Sequence, residues 1–199
     1  MSLWATNETV TADKANQKTV FVGATAPTST FAGQVWMDTT ADVPIVKVRN
    51  AANTKWLFHN YTLRKTADET VNNSVTLQND DHLVTATLPA SSAWAFDLLL
   101  VTVSSAVADF KFMFTGPAGT IFNLAFLVGG TTYEGGTLTE GSTAGFVSGN
   151  GGEVPVWIRG TLTLGGTAGT LQLQWAQNTA EVSNTVVQLG SYLHLQQLT

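Results

Sequence analysis

The sequence predicts an all-β chain, a small N-terminal β module followed by an antiparallel β-sandwich, and three observations carry that prediction. In Thr170-Leu171-Gln172-Leu173-Gln174-Trp175 apolar and polar residues alternate strictly, which places Leu171, Leu173 and Trp175 on one side of a half-buried strand. From residue 69 onward, apolar runs recur at intervals of roughly 10 to 15 residues with Gly or Asn turns between them. No apolar stripe of helical period reaches a useful length.

The elements follow in chain order. Residues 1–18 are small and polar around a lone Trp4, a composition that orders only against a partner. Between residues 19 and 61 short bursts stand among turn formers: Val20-Phe21-Val22, Gln34-Val35-Trp36-Met37-Asp38, Ile45-Val46-Lys47-Val48 and Trp56-Leu57-Phe58. These are expected to be strands of a small sheet, with a core thin enough to need a neighbour. Leu63-Arg64-Lys65-Thr66-Ala67-Asp68-Glu69 is the most charged stretch and reads as a junction. The expected organisation is therefore an arm at 1–18, a module with its junction at 19–65, and a sandwich at 66–199.

Nine strands are expected in the sandwich: 69–77, 82–88, 94–103, 109–114, 121–128, 131–139, 154–164, 170–177 and 185–198. Two are apolar on both faces. Trp94, Phe96, Leu98 and Leu100 alternate with Leu99, Val101 and Val103, and Phe122, Leu124 and Phe126 alternate with Ile121, Ala125 and Leu127. Such strands ask for cover on both sides, and a subunit contact would supply the second. Gly160 interrupts the apolar face of 154–164, which suits a bulge or a close backbone approach. Gly165-Gly166-Thr167-Ala168-Gly169 is expected to be the hairpin loop between its flanking strands.

Composition excludes several classes. The chain has 199 residues, a net charge of −5 and 9 basic residues without a cluster, so nucleic-acid binding, which needs grouped Lys and Arg, is not expected. Charged residues are 12% of the total against about 25% in typical soluble domains. The uncharged polar surface this implies suits packing on copies of itself or enduring outside a cell. There is no cysteine, so disulfides and thiolate metal sites are unavailable. No basic start precedes an apolar stretch, and no run reaches the roughly 18 apolar residues of a membrane span; synthesis in the cytoplasm and no membrane insertion are expected.

The candidate chemistry is sparse. His59, His82 and His194 lack metal-ligand spacing, and Asn79-Asp80-Asp81 lacks the other ligands of a calcium loop and reads as a turn. Asp97 stands inside an apolar run, where a structural pairing with Lys111 or Arg159 is expected. The glycine pairs at 129–130, 135–136, 149–152 and 165–166 do not precede helices, so phosphate cradling is not expected; they read as loops at one end of the sandwich. There Tyr133, Phe146 and Trp157 are candidates for touching a carbohydrate or a neighbouring subunit. A carboxylate pair for glycoside hydrolysis would need two acids meeting in space. No enzyme activity, cofactor or metal is expected.

Ala32-Gly33-Gln34-Val35-Trp36-Met37-Asp38-Thr39-Thr40, then Pro44-Ile45-Val46-Lys47-Val48-Arg49-Asn50, then Thr54-Lys55-Trp56 resemble a small module of tailed-phage fibre and appendage proteins. Asp68-Glu69-Thr70-Val71-Asn72-Asn73-Ser74, Leu77-Gln78-Asn79-Asp80-Asp81-His82-Leu83, Ala108-Asp109-Phe110-Lys111-Phe112, the run 166–178 and Gly190-Ser191-Tyr192-Leu193 resemble a C-terminal domain common in phage virion and prophage structural proteins. That resemblance implies a trimeric jelly-roll of the tumour-necrosis-factor or C1q type. With no long shaft between the modules, it favours a head decoration, head fibre or short spike over a long tail fibre. The expected protein is thus a non-enzymatic homotrimer in the virion. Its N-terminal region (Trp4, Trp36, Trp56) would bind other capsid or tail proteins, and Phe110, Phe112, Trp175 and Tyr192 would lie near the subunit contact. The alternative is a tail-fibre or tail-tip module that binds a host-surface glycan or receptor.

Overall fold

The structure is a computed structural model that describes residues 20–40, 44–58, 60–128, 132–139 and 143–198. Every regular element among them is a β-strand. The chain forms two compact units that divide between Asn60 and Tyr61. The arm with Trp4, and His59, lie outside the described residues.

The first unit is one four-stranded sheet in the order β1 (Phe21–Gly23), β2 (Val35–Asp38), β3 (Ile45–Arg49), β4 (Trp56–Phe58). β1 runs parallel to β2 and the other pairs are antiparallel. All four match apolar bursts of the sequence, because each burst is bounded by Gly, Pro or Asn that end a strand.

The second unit begins earlier than the junction reading implies. Leu63 and Arg64 belong to β5 (Tyr61–Arg64), which pairs with β16 (Tyr192–Gln197), so the charged stretch is part of the sandwich. Lys65 follows β5 and precedes β6 (Glu69–Asn72). Its N–H donates to Ser191 O at 2.7 Å and its carbonyl accepts from Gly190 N–H at 3.0 Å. Gly190, at φ 89°, supplies the left-handed turn that splits the expected strand 185–198 into β15 (Asn184–Val187) and β16. β5 with β6 and β15 with β16 therefore jog at the same level.

The large sheet runs β11 (Thr132–Thr139), β10 (Ile121–Val128), β13 (Glu153–Thr163), β8 (Ala93–Val103), β15, β6. β16 shares the β8 edge with β15 and carries β5 beyond it. The second sheet runs β12 (Thr143–Val147), β9 (Phe110–Thr115), β14 (Gln172–Gln177), β7 (Gln78–Val84). Every pairing among the described strands of the two sheets is antiparallel, as expected for a sandwich.

Inward residues of both sheets fill the core. β8 contributes Trp94, Phe96, Leu98 and Leu100, β13 Val154, Val156, Ile158 and Leu162, and β14 Leu173 and Trp175, all buried. Aromatic rings cross the layer in a chain. Phe96 meets Phe114 edge-on at 5.9 Å, Phe114 stacks on Phe122 at 5.6 Å, and Phe112 meets Phe126 edge-on at 6.0 Å, the offset and T-shaped arrangements that ring quadrupoles favour.

Two expectations are corrected here, and a third is decided between its two alternatives. Gly165 to Gly169 does not close a hairpin, because β13 and β14 lie in different sheets and the segment passes between them. Gly135 and Gly136 stand within β11, opposite Ala125 and Leu124, and not in a loop. Gly160 marks a close approach without a bulge: the β10–β13 register is unbroken, and a Cβ there would lie 1.9 Å from Asn123 O.

Candidate functional site

Two places in the sandwich collect side chains of chemical interest. The first is the outer face of the large sheet. Antiparallel register lines residues up across it: Leu127, Trp157, Leu99 and Tyr192 form one row, and Ala125, Arg159, Asp97 and His194 the next. Trp157 and Tyr192 flank Leu99 from the two neighbouring strands, their rings edge-on at 6.3 Å. The Arg159 guanidinium lies 5.3 Å from the Trp157 ring and pairs with Asp97 at 3.0 Å. Ala125, Leu127, Trp157 and Arg159 line a depression of about 300 Å³. Burial first, and the Asp97 charge second, push the Tyr192 hydroxyl above its ordinary value.

Asp97 therefore takes the Arg159 pairing expected of it, while Lys111 lies on β9 in the other sheet. It is not an interior acid, however, since its side chain is 31% exposed on the outer face. Trp157, placed by sequence with loop aromatics, stands mid-strand beside Tyr192. Tyr133 stands opposite Leu127 in backbone register; the side chains of Tyr133 and Phe146 lie outside the described residues.

The subunit-contact assignment needs correction. Phe110, Phe112 and Trp175 are each 0% exposed within a single chain, and Phe110 packs on Phe112 at 6.0 Å and on Trp175 at 5.8 Å. They are core, because the β9 and β14 faces that carry them point at the large sheet. Tyr192 alone of the four is on an outer face.

The second place is the open edge of the sandwich, where β5 and β6 border the large sheet and β7 borders the small one. Lys65 is fully buried there. Its Nζ lies 2.8 Å from Glu69 Oε2, 2.8 Å from Asp80 Oδ2 and 3.4 Å from His82 Nδ1. Asp80 Oδ1 accepts from the N–H groups of His82 at 3.0 Å and Leu83 at 2.9 Å, and Glu69 Oε1 accepts from Asp81 N–H at 2.7 Å. Asn79-Asp80-Asp81 is thus inside β7 and not a turn between strands, although the local bonds that favour Asp in turns are made. They accompany an irregularity in the β7–β14 pairing, where Gln172 opposes Val84 and Gln174 opposes Asn79.

Glu69, Asp80 and His82 place ligand atoms within 4.8 Å of one another, a donor set a divalent cation would accept. The Lys65 Nζ lies within reach of all three, 2.8 Å from an oxygen of each acid and 3.4 Å from His82 Nδ1, and occupies the place a cation would take. Sequence reading passed over the cluster, although Lys65 and Glu69 at i, i+4 beside the acidic run at 80–81 were its signal.

In the first unit Trp36 is buried, donates from Nε1 to Gly23 O at 2.9 Å, and meets Trp56 edge-on at 5.4 Å. It is core of its own sheet, whereas Trp56 is half-buried. Asp38 pairs with Lys47 at 2.6 Å. Burial pushes its carboxyl up, but bonds from Lys47 and Thr40 and the Lys47 charge outweigh burial and hold it below the ordinary carboxylate value. The stability from a depressed carboxylate is present above the unfolded value, about pH 4, and is lost as pH falls through the folded one. Melting of the native Trp36 indole NMR signal is therefore expected to fall between pH 7 and pH 3, and this pH-dependent drop should be smaller in Asp38→Asn.

No protein-family model matches this chain, and no curated protein matches it.

Proposed function

We propose that this chain is a non-enzymatic structural component of a phage particle, a homotrimeric head decoration, head fibre or short spike. Its N-terminal region attaches it to other virion proteins, and its sandwich, of the jelly-roll type, associates with two copies and projects. The observation that carries this reading is the row Leu127, Trp157, Leu99 and Tyr192 on the outer face of the large sheet. Aromatic anchors amid aliphatic side chains are the composition of an interface centre. The sparse charge of the chain and the amide-lined outer face of the small sheet, where Gln174 Nε2 donates to Asn79 Oδ1 at 2.7 Å, agree with a protein packed among copies of itself.

Sedimentation of the full chain at micromolar concentration is expected to give a trimer. Trp157→Ala should weaken association by about 2 kcal/mol or more per contact while thermal unfolding of the monomer changes little. A monomeric wild type would overturn the reading. Antibody labelling of purified particles in negative stain tests the virion assignment directly, with label expected on head or tail.

A second reading, a receptor- or glycan-binding tail module, is favoured by one observation: the depression at Trp157 and Arg159 combines a ring face with a guanidinium. Binding of host-surface glycans by a monomeric chain, abolished by Trp157→Ala, would select it.

A further inference from the structure

We propose that Lys65 and Asp80 react with each other to form an intramolecular amide that ties the edge of the large sheet to the edge of the small one, with Glu69 as the proton carrier. The chain has no cysteine, so a disulfide cannot close this edge. The reacting groups are already in contact: Nζ is 2.8 Å from Asp80 Oδ2, and both side chains are sealed from solvent at 0% exposure. Glu69 Oε2 lies 2.8 Å from the same nitrogen. Two backbone N–H groups, of His82 and Leu83, hold Asp80 Oδ1.

Each group has a role in condensation. The condensation begins with one proton passing from Nζ to Asp80 Oδ2 across their 2.8 Å contact. The Nζ lone pair then attacks Cγ, and the electrons of the C–O double bond move to Oδ1. The two N–H groups stabilise that oxyanion as an oxyanion hole does. Glu69 takes a second proton from Nζ and delivers it to the Oδ2 hydroxyl, which leaves as water with the electron pair of its C–O bond while the pair on Oδ1 re-forms the C=O double bond. The amide keeps one hydrogen on Nζ, Glu69 returns to its starting state, and no oxidant or co-reactant is consumed. Attack within one folded chain gains the rate advantage of fixed orientation. His82 Nδ1, 3.4 Å from both Nζ and Glu69 Oε1, borders the proton path.

The test is the mass of the purified full chain under denaturing conditions, followed by protease digestion and fragmentation. The expected result is a chain lighter than its sequence by one water, with a branched peptide joining Lys65 to Asp80. Asp80→Asn should lose one ammonia in place of water, because the amide nitrogen becomes the leaving group. Glu69→Gln and Lys65→Arg should retain their full masses. An unshifted wild-type mass, with no branched peptide, would overturn the proposal and leave a buried ion pair. So would a loss of water that persists in Lys65→Arg, which marks an aspartate cyclised on its own backbone. If the variants fail to fold, the wild-type branched peptide decides alone.

Discussion

Lys65→Met should destabilise the sandwich by about 3–5 kcal/mol, the usual cost of removing one partner from a buried ion pair. The loss is large because Nζ lies 2.8 Å from a carboxyl oxygen of both Glu69 and Asp80, and where Lys65 and Asp80 have joined as an amide the variant loses that cross-link as well. Without the ammonium, two like charges face each other in a place closed to water. Adding Asp80→Asn should recover part of the loss. It removes one charge yet keeps an oxygen to accept from the His82 and Leu83 N–H groups, so the irregularity of β7 stays capped. Urea unfolding of the full chain, followed by near-ultraviolet circular dichroism, measures both steps. A Lys65→Met chain as stable as wild type would show that the cluster does not hold this edge closed.

Trp175→Ala should cost about 3–5 kcal/mol, the range for emptying a buried aromatic site. The indole is fully enclosed and packs on Phe110; β14 lies between β9 and β7, which limits collapse into the void. Trp175→Phe should cost distinctly less. The buried Nε1 has no hydrogen-bond partner among the described residues, and removing an unsatisfied donor relieves its desolvation penalty against the smaller cavity left by the ring. The two melting temperatures of the full chain check this. In Trp175→Ala, unfolding and loss of association should coincide, unlike in Trp157→Ala, where association alone should suffer. That contrast separates core from contact.

The difference between Trp157 and Trp175 shows where sequence reading stops. Both sit in alternating runs, so the face each occupies within its own strand was legible. Which face turns inward depends on the opposing sheet, and no local pattern encodes that. In β14 and the residue before it the alternating face, Leu171, Leu173 and Trp175, went to the core as alternation predicts. β8 and β10 carry apolar residues on both faces, and there the sequence left the choice open; the structure turns Trp94, Phe96, Leu98 and Leu100 inward and leaves Leu99 and Val101 half-buried outside.

By itself the sequence determined the strand content and most strand positions, because alternation, turn residues and the rarity of charge are local properties; it left a bulge or a close approach open at Gly160, and Lys111 or Arg159 open as the partner of Asp97. It did not determine β5, β12 or the boundary at Asn60, where short strands take their identity from their partners. Only the tertiary structure decided that Gly165 to Gly169 joins two sheets, that Phe110, Phe112 and Trp175 are core, and that Lys65, Glu69, Asp80 and His82 form one cluster. The physical reason is common to all three. Each follows from pairing between strands distant in the chain, which the packing of the whole sandwich selects, while a period-2 pattern specifies only how one strand alternates its own two faces.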